Sequence, residues 1–222
     1  LTLDKLPDHH MAKQYCMGRG IPSYAMKNIV FTDNYFKWCE THIGETDGYV
    51  PEDQRIVFPM RTKEGRLYGA QGRIFYDAAD KTKRFVTAKK MDDPTPKMFG
   101  IERVNTTLPI IYVEGVIDSL FLPNCVAVCG GDVTENLLDI VEGVQKFWVG
   151  DNEPRSNDTI KRMQKAIDMG FKVCFWQVDT QYKDINDMIK KGGYTPKMIL
   201  QHIAENSYTG LKAKTAFAKW RK

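Results

Sequence analysis

Four short apolar runs punctuate the second half of the chain. They are 110–114 (IIYVE), 125–129 (CVAVC), 145–150 (QKFWVG) and 171–176 (FKVCFW). Each is too short for a helix and is bounded by Pro, Gly or polar residues, which predicts four buried strands. The intervening stretches carry helical spacing: 116–122, stopped by Pro123; 134–141, with Thr134 as a candidate N-cap; and 156–169, closed by Gly170. A short helix over 184–191 ends at Gly192-Gly193, and another over 196–206 has Pro196 near its start. Strand alternating with helix predicts a mainly parallel sheet covered by helices.

The first half has a different pattern. Residues 6–17 and 34–42 are spaced as helices, and the Gly, Asp and Pro of 44–53 mark a connection. Residues 55–60 and 66–75 read as strands joined by a turn at Lys63-Glu64-Gly65, with 84–88 as a further strand and 91–98 irregular. This half predicts a small basic α+β subdomain over 1–107, its basic side chains on one sheet face. A mainly parallel α/β subdomain over 108–195 and a helical segment over 196–222 follow.

Charge sharpens that division. The whole chain holds 32 Lys/Arg against 28 Asp/Glu, but residues 55–103 hold 12 against 6 and residues 197–222 hold 6 against 1. Such local excesses suit a polyanionic partner or an ordinary charged surface. Residues 209–222 combine Leu211, Ala213, Ala216, Phe217 and Trp220 with five Lys/Arg. They form a candidate amphipathic helix that contacts nucleic acid, a partner or the domain itself. The five Cys (16, 39, 125, 129 and 174) have no zinc-site spacing and require no disulfides. No apolar run reaches membrane-spanning length. The chain opens on Leu1 rather than Met and enters a helical pattern at once, which predicts a further segment upstream.

The acids fall where an open α/β sheet places its ligands, beyond the C-terminal strand ends. Glu114 ends the first strand, Asp151 and Glu153 follow the third, and Asp184 and Asp187 follow the fourth after a loop. Asp118 lies four residues beyond Glu114 and reads equally well as a helix residue. Clustered carboxylates without His or Cys favour a hard, oxygen-loving cation such as Mg²⁺ over zinc. Arg73, Arg84, Lys89, Lys97 and Arg103 are candidates to hold phosphates. Gly130-Gly131 serves either a phosphate approach or a sharp turn. Neither a P-loop nor a dinucleotide fingerprint is present, which disfavours a nucleotide motor or dinucleotide enzyme.

The segments YVEGVID (112–118), DNE (151–153) and DIND (184–187) resemble the toprim fold of bacterial-type primases, topoisomerases and some nucleases. RIVFPMRTKEGRLYGAQGR (55–73), RFVT (84–87) and PKMFGIERV (96–104) resemble the RNA-polymerase domain of DnaG-type primases. IDSLF (117–121), DNEPRSNDTIKRM (151–163) and KDINDMI (183–189) are especially similar to primases of T4-like bacteriophages.

The resemblance implies a DNA-directed RNA polymerase making short primers on single-stranded DNA from NTPs, with Mg²⁺ or Mn²⁺. It implies a catalytic set of Glu114, Asp151, Glu153 and Asp184, with Asn186 and Asp187 as further metal ligands. Glu153 stands where the family's pair has a second Asp, and Asn186 where it has an acid. Arg73, Arg84 and Lys97 fall on basic positions that guide template or NTP. An upstream zinc-binding domain, a replicative hexameric helicase as partner and the cytoplasm of an infected bacterial host are also implied. Two rival classes stand beside this reading: another toprim enzyme such as a nuclease or topoisomerase, and a non-catalytic helicase- or DNA-binding module. Tyr112, Tyr182 and Tyr194 read as structural residues, not as topoisomerase nucleophiles.

Overall fold

The structure, a computed structural model, describes residues 1–76, 84–130, 143–177 and 180–221. The chain divides into two compact units, Leu1–Glu102 and Arg103–Lys222. The sequence places that division at 107/108 and sets 196–222 apart, whereas by contacts those residues fall inside the second unit. The helix expected at 134–141, and Gly131, lie outside the described residues.

In the first unit a 3-10 turn at Leu3–Lys5 precedes α1 (Met11–Gly18) and α2 (Ser23–Met26). Pro7 and the turn delay α1 past its expected start at residue 6, and the His10 side chain accepts the Ala12 N–H at 3.2 Å as its cap. β1 (Val30–Thr32), α3 (Tyr35–His42), β2 (Arg55–Arg61), β3 (Leu67–Arg73) and β4 (Phe85–Lys89) follow. The four strands form an antiparallel sheet in the order β1-β2-β3-β4. β1 pairs with β2 no further than Val57, so Pro59 lies in the stretch of β2 beyond it, where a proline is tolerated.

Asn34 caps α3 by accepting the Lys37 N–H at 2.9 Å. The helix lays Tyr35, Cys39 and Ile43 onto Val57, Ala70 and Ala88 of the sheet. Tyr35 is buried among them, and its hydroxyl donates to the Ala70 carbonyl at 2.9 Å. Gly72 leaves the room: a Cβ there would lie 2.7 Å from the Tyr35 ring and 2.8 Å from Arg55 Cδ. The expected row of basic side chains on one face is only partly found. Arg55 and Arg73 are buried, while Arg61 and Arg84 are exposed. A two-residue strand, β5 (Met98–Phe99), comes near the end of this unit.

The second unit contributes β6 (Ile110–Val113), β7 (Cys125–Val128), β8 (Lys146–Val149), β9 (Lys172–Cys174) and β10 (Ser207–Tyr208). Their order is β10-β9-β8-β6-β7, with β6/β7, β6/β8 and β8/β9 parallel and β10 an antiparallel addition. Among the described residues its α-helices are α4 (Asn157–Asp168), α5 (Ile185–Gly192), α6 (Pro196–Glu205) and α7 (Gly210–Trp220). The stretch 116–122 forms only a 3-10 turn, Asp118–Leu120, because Pro123 leaves no length for a helix. α7 packs on α4, burying Ala213, Phe217 and Trp220. The apolar stripe of the tail is therefore used within its own unit, and Lys212, Lys214, Lys219 and Arg221 stay exposed. All five cysteines are free and buried. Burial pushes the thiols of Cys16, Cys39 and Cys174 up to about 12, so these three sulfurs are core atoms, not nucleophiles.

Candidate active site

The chain passes from β6 to β7 on one side and then returns to β8 on the other. That reversal opens a crevice beyond the C-terminal ends of β6 and β8, where ligands of open α/β sheets bind. The parallel register pairs Val113 with Val149, which brings Glu114 and Gly150-Asp151 side by side. One carboxylate oxygen of Glu114 accepts the Asp151 N–H at 3.2 Å. The other accepts from Arg162 Nη1 of α4 at 2.5 Å. Gly150 keeps this pocket open: a Cβ there would stand 3.2 Å from Glu114 Oε1 and 3.1 Å from Met163 Sδ.

Asp151 is the most perturbed acid of the site. Burial, then the carboxylates of Glu114, Asp118 and Asp184, push its carboxyl up to about 8, against the opposing pull of Lys183. Lys183 Nζ lies 3.1 Å from Glu153 Oε2 and 3.7 Å from Asp151 Oδ2. Asn152 joins the two acidic loops. Its N–H donates to the Lys183 carbonyl at 2.6 Å, and its amide donates to the Thr180 carbonyl at 2.8 Å and the Tyr182 carbonyl at 3.3 Å. Its side-chain oxygen accepts from Trp220 Nε1 at 3.4 Å, so the end of α7 touches the same loop.

Asp184 caps α5 through the Asp187 N–H at 2.7 Å, and Asp187 itself pairs with Lys191 at 2.7 Å. Asn186 is 2% exposed, and its N–H donates to Asp118 Oδ1 at 2.8 Å. Asp118 is thus a buried member of the acidic group. Gly115 makes room for it, since a Cβ there would fall 2.3 Å from Asp118 Oδ2. Gly115→Ala is therefore expected to displace Asp118 and to lower the melting temperature by several degrees, about 1–3 kcal/mol of overpacking. Differential scanning calorimetry checks this, and an unchanged melting temperature would show that the contact yields freely.

The donor set is all oxygen, carboxylates together with the Asn186 amide, which suits Mg²⁺ or Mn²⁺ in chemistry. As placed, no group of three or more His, Cys, Asp or Glu among the described residues is gathered tightly enough to hold an ion. Several candidate oxygens are engaged instead by Arg162, Lys183, Lys191 and backbone N–H groups.

The candidate phosphate residues have distinct surroundings. In the first unit, Arg73 Nε donates to Tyr15 Oη at 2.6 Å, and its guanidinium lies 4.3 Å from the Phe85 ring centroid. Burial and the nearby Arg19 and Arg84 lower its pKa. Lys89 donates to the carbonyls of Asp93 and Thr95, so it braces a turn. Lys97 pairs with Asp47 at 3.4 Å. Arg103, exposed, belongs to the second unit. Sequence reasoning missed Tyr15, Arg19, Asn152, Arg162 and Lys183. For Arg162 one signal was available: it lies three residues beyond Thr159 and four before Ala166, both buried in α4, so it flanks the packed face.

No protein-family model matches the chain. Its fold is that of the toprim-containing catalytic domain of DnaG-type primases. The RNA polymerase domain of Mycobacterium tuberculosis DnaG aligns over 91% of this chain and 78% of its own, with a TM-score of 0.68 at 18% identity. A DnaG primase catalytic domain bound to single-stranded DNA aligns over 97% and 84%, with a TM-score of 0.62 at 14% identity. By sequence the chain is closely related to the DNA primase of Enterobacteria phage T4, at 35% identity over 223 residues. That match takes in 100% of this chain and spans 64% of the length of the phage primase. No described helix is long and apolar enough to cross a membrane.

Proposed function

We propose that this chain is the catalytic part of a DNA primase, joining ribonucleotides on a single-stranded DNA template by divalent-metal-dependent nucleotidyl transfer. One observation carries the reading: the β6/β8 register sets Glu114 against Asp151, where burial, and then the carboxylates of Glu114, Asp118 and Asp184, push the Asp151 carboxyl up to about 8. A cluster of anions at a sheet switch point attracts a cation and, through it, a phosphate. Mg²⁺ or Mn²⁺, when bound, would neutralise the triphosphate and lower the pKa of the attacking 3′-hydroxyl. Asp151, Glu153 and Asp184 would hold metal, with Asn186 and Asp187 as outer contacts. Glu114 would place a ligand or accept the 3′-hydroxyl proton.

Arg84 and Arg103, both exposed, would meet template or triphosphate, while Arg73, buried against Tyr15 and Phe85, would contribute charge from beneath the surface. Lys89 and Lys97, held by backbone carbonyls and Asp47, would contribute mainly long-range charge. The relationship to a phage primase, and the likeness to a DnaG domain solved on single-stranded DNA, support this template and the NTP substrates. A replicative hexameric helicase as partner and action in the cytoplasm of an infected bacterium belong to the same proposal, as does an upstream zinc-binding domain, which an Aquifex aeolicus primase with a similar fold carries beside its RNA polymerase domain.

The test is primer synthesis on defined single-stranded templates with labelled NTPs. Incorporation is expected with Mg²⁺ or Mn²⁺ and none with EDTA. Metal-independent incorporation, or metal-dependent cleavage of the template without incorporation, would defeat the reading. If Glu114→Gln kept full incorporation yet lost helicase binding, the module would be a docking element instead.

A further inference from the structure

We infer that Arg162 is the positioning residue of Glu114, acting on the site proposed above through that carboxylate and not through substrate. Nothing on β6 itself orients the Glu114 side chain in the contacts described. Its carboxylate is held by the Asp151 N–H of the neighbouring strand end at 3.2 Å and by Arg162 Nη1 of α4 at 2.5 Å. The space beside it is bounded by Gly150 and Met163. The glutamate is largely buried, with 12% of its side chain exposed against 29% for Arg162. A charge-assisted bond in such a place fixes geometry as well as charge.

The alternative role for Arg162 is simple charge neutralisation within an acidic group. The two roles predict opposite effects on cation binding. If Arg162 only neutralises, removing it leaves the site more negative, and a divalent cation binds more tightly. If it positions, removing it lets Glu114 rotate out of the ligand set, and the cation binds more weakly. A carboxylate has about four lone-pair positions, so pairing with Arg162 and the Asp151 N–H leaves Glu114 able to meet a metal or a proton.

Two measurements decide between them, using the intact chain, Arg162→Gln, Arg162→Lys, Glu114→Gln and the Arg162→Gln/Glu114→Gln double variant. The first is Mn²⁺ titration by electron paramagnetic resonance, which needs no catalytic activity. Arg162→Gln is expected to weaken Mn²⁺ binding about tenfold, the scale of lost outer-shell support to a metal ligand. Arg162→Lys is expected to recover part of that loss, and Arg162→Gln to add nothing further in the Glu114→Gln background. The second is steady-state primer synthesis, where Arg162→Gln is expected to lower kcat on the order of 10- to 100-fold. KM for NTP should stay within about twofold, since substrate binding itself is untouched.

Tighter Mn²⁺ binding in Arg162→Gln would overturn the inference, as would full and independent losses in both Glu114 backgrounds. A rise in KM at unchanged kcat would assign Arg162 to substrate instead, and a lowered melting temperature with Mn²⁺ binding intact would make it merely structural. If the intact chain incorporates no nucleotide while the Mn²⁺ results hold, the polymerase reading fails and the role of Arg162 stands.

Discussion

Asp151→Asn is expected to raise the melting temperature of the metal-free protein at pH 8 while abolishing metal-dependent incorporation. Asp151 is held at about 8 in the folded chain by burial and by Glu114, Asp118 and Asp184. An unfolded Asp titrates near 4. Between roughly pH 4 and pH 8 the folded state therefore binds more protons than the unfolded state, and stability falls as pH rises through that window. The penalty is absent below the unfolded value and complete above the folded one. A tenfold change in proton affinity corresponds to about 1.4 kcal/mol, so the cost at pH 8 is on the order of a few kcal/mol. Asparagine keeps the shape and removes the charge. Its advantage should be large at pH 8 and small at pH 5, as read by differential scanning fluorimetry without metal. Mg²⁺ should restore the intact chain at pH 8 and leave the variant unmoved. A variant less stable than the parent at pH 8 would show that Asp151 is adequately neutralised by Lys183 alone.

The same carboxylate explains what the sequence made readable. β6, β7 and β8 are parallel strands covered on both sides, so they stand out as unbroken apolar runs, and an acid ending such a run is conspicuous. Glu114 and Asp151 were legible for that reason. Which strands are neighbours was not, because period and apolarity carry no order. The pairing of β6 with both β7 and β8 is what turns separate acids into one crevice. β1 and β10 were invisible: with three and two residues, they are strands only because β2 and β9 offer them partners. Asp118 was half-legible. It looked like a helix residue one turn past Glu114, but Pro123 tightens that helix into a 3-10 turn and Gly115 admits its carboxylate.

Cations were read less well than anions. Long side chains reach across elements, so sequence position says little about where the charge ends. Arg162 comes from a helix flank to Glu114, and Lys183 from a loop to Glu153. The basic excess of 55–103 likewise overstates the surface available to a polyanion. Lys89 is bound to backbone carbonyls, Arg66 is paired with Asp93 at 2.6 Å, and Arg55 is not at the surface.

Arg55 leads to the largest stability effect expected in the first unit. Its guanidinium meets Asp53 through two parallel bonds, Nε to Oδ1 at 2.6 Å and Nη2 to Oδ2 at 2.9 Å. Nη1 donates to the Gly72 carbonyl at 3.1 Å, and the Tyr35 ring centroid lies 5.9 Å away. The arginine side chain is 1% exposed and the aspartate 33%. Asp53→Ala removes the bidentate carboxylate and leaves a buried cation, a change that costs about 3–5 kcal/mol. For a chain of this length that lowers the melting temperature by on the order of 10 °C. Arg55→Met should cost less, because it removes the charge along with its need for a partner while keeping apolar volume beside Tyr35. Adding Arg55→Met to Asp53→Ala should therefore recover stability. Thermal denaturation of the three variants decides it: if Arg55→Met proves as damaging as Asp53→Ala, the guanidinium holds Gly72 and Tyr35 in place by bonds that no apolar side chain replaces.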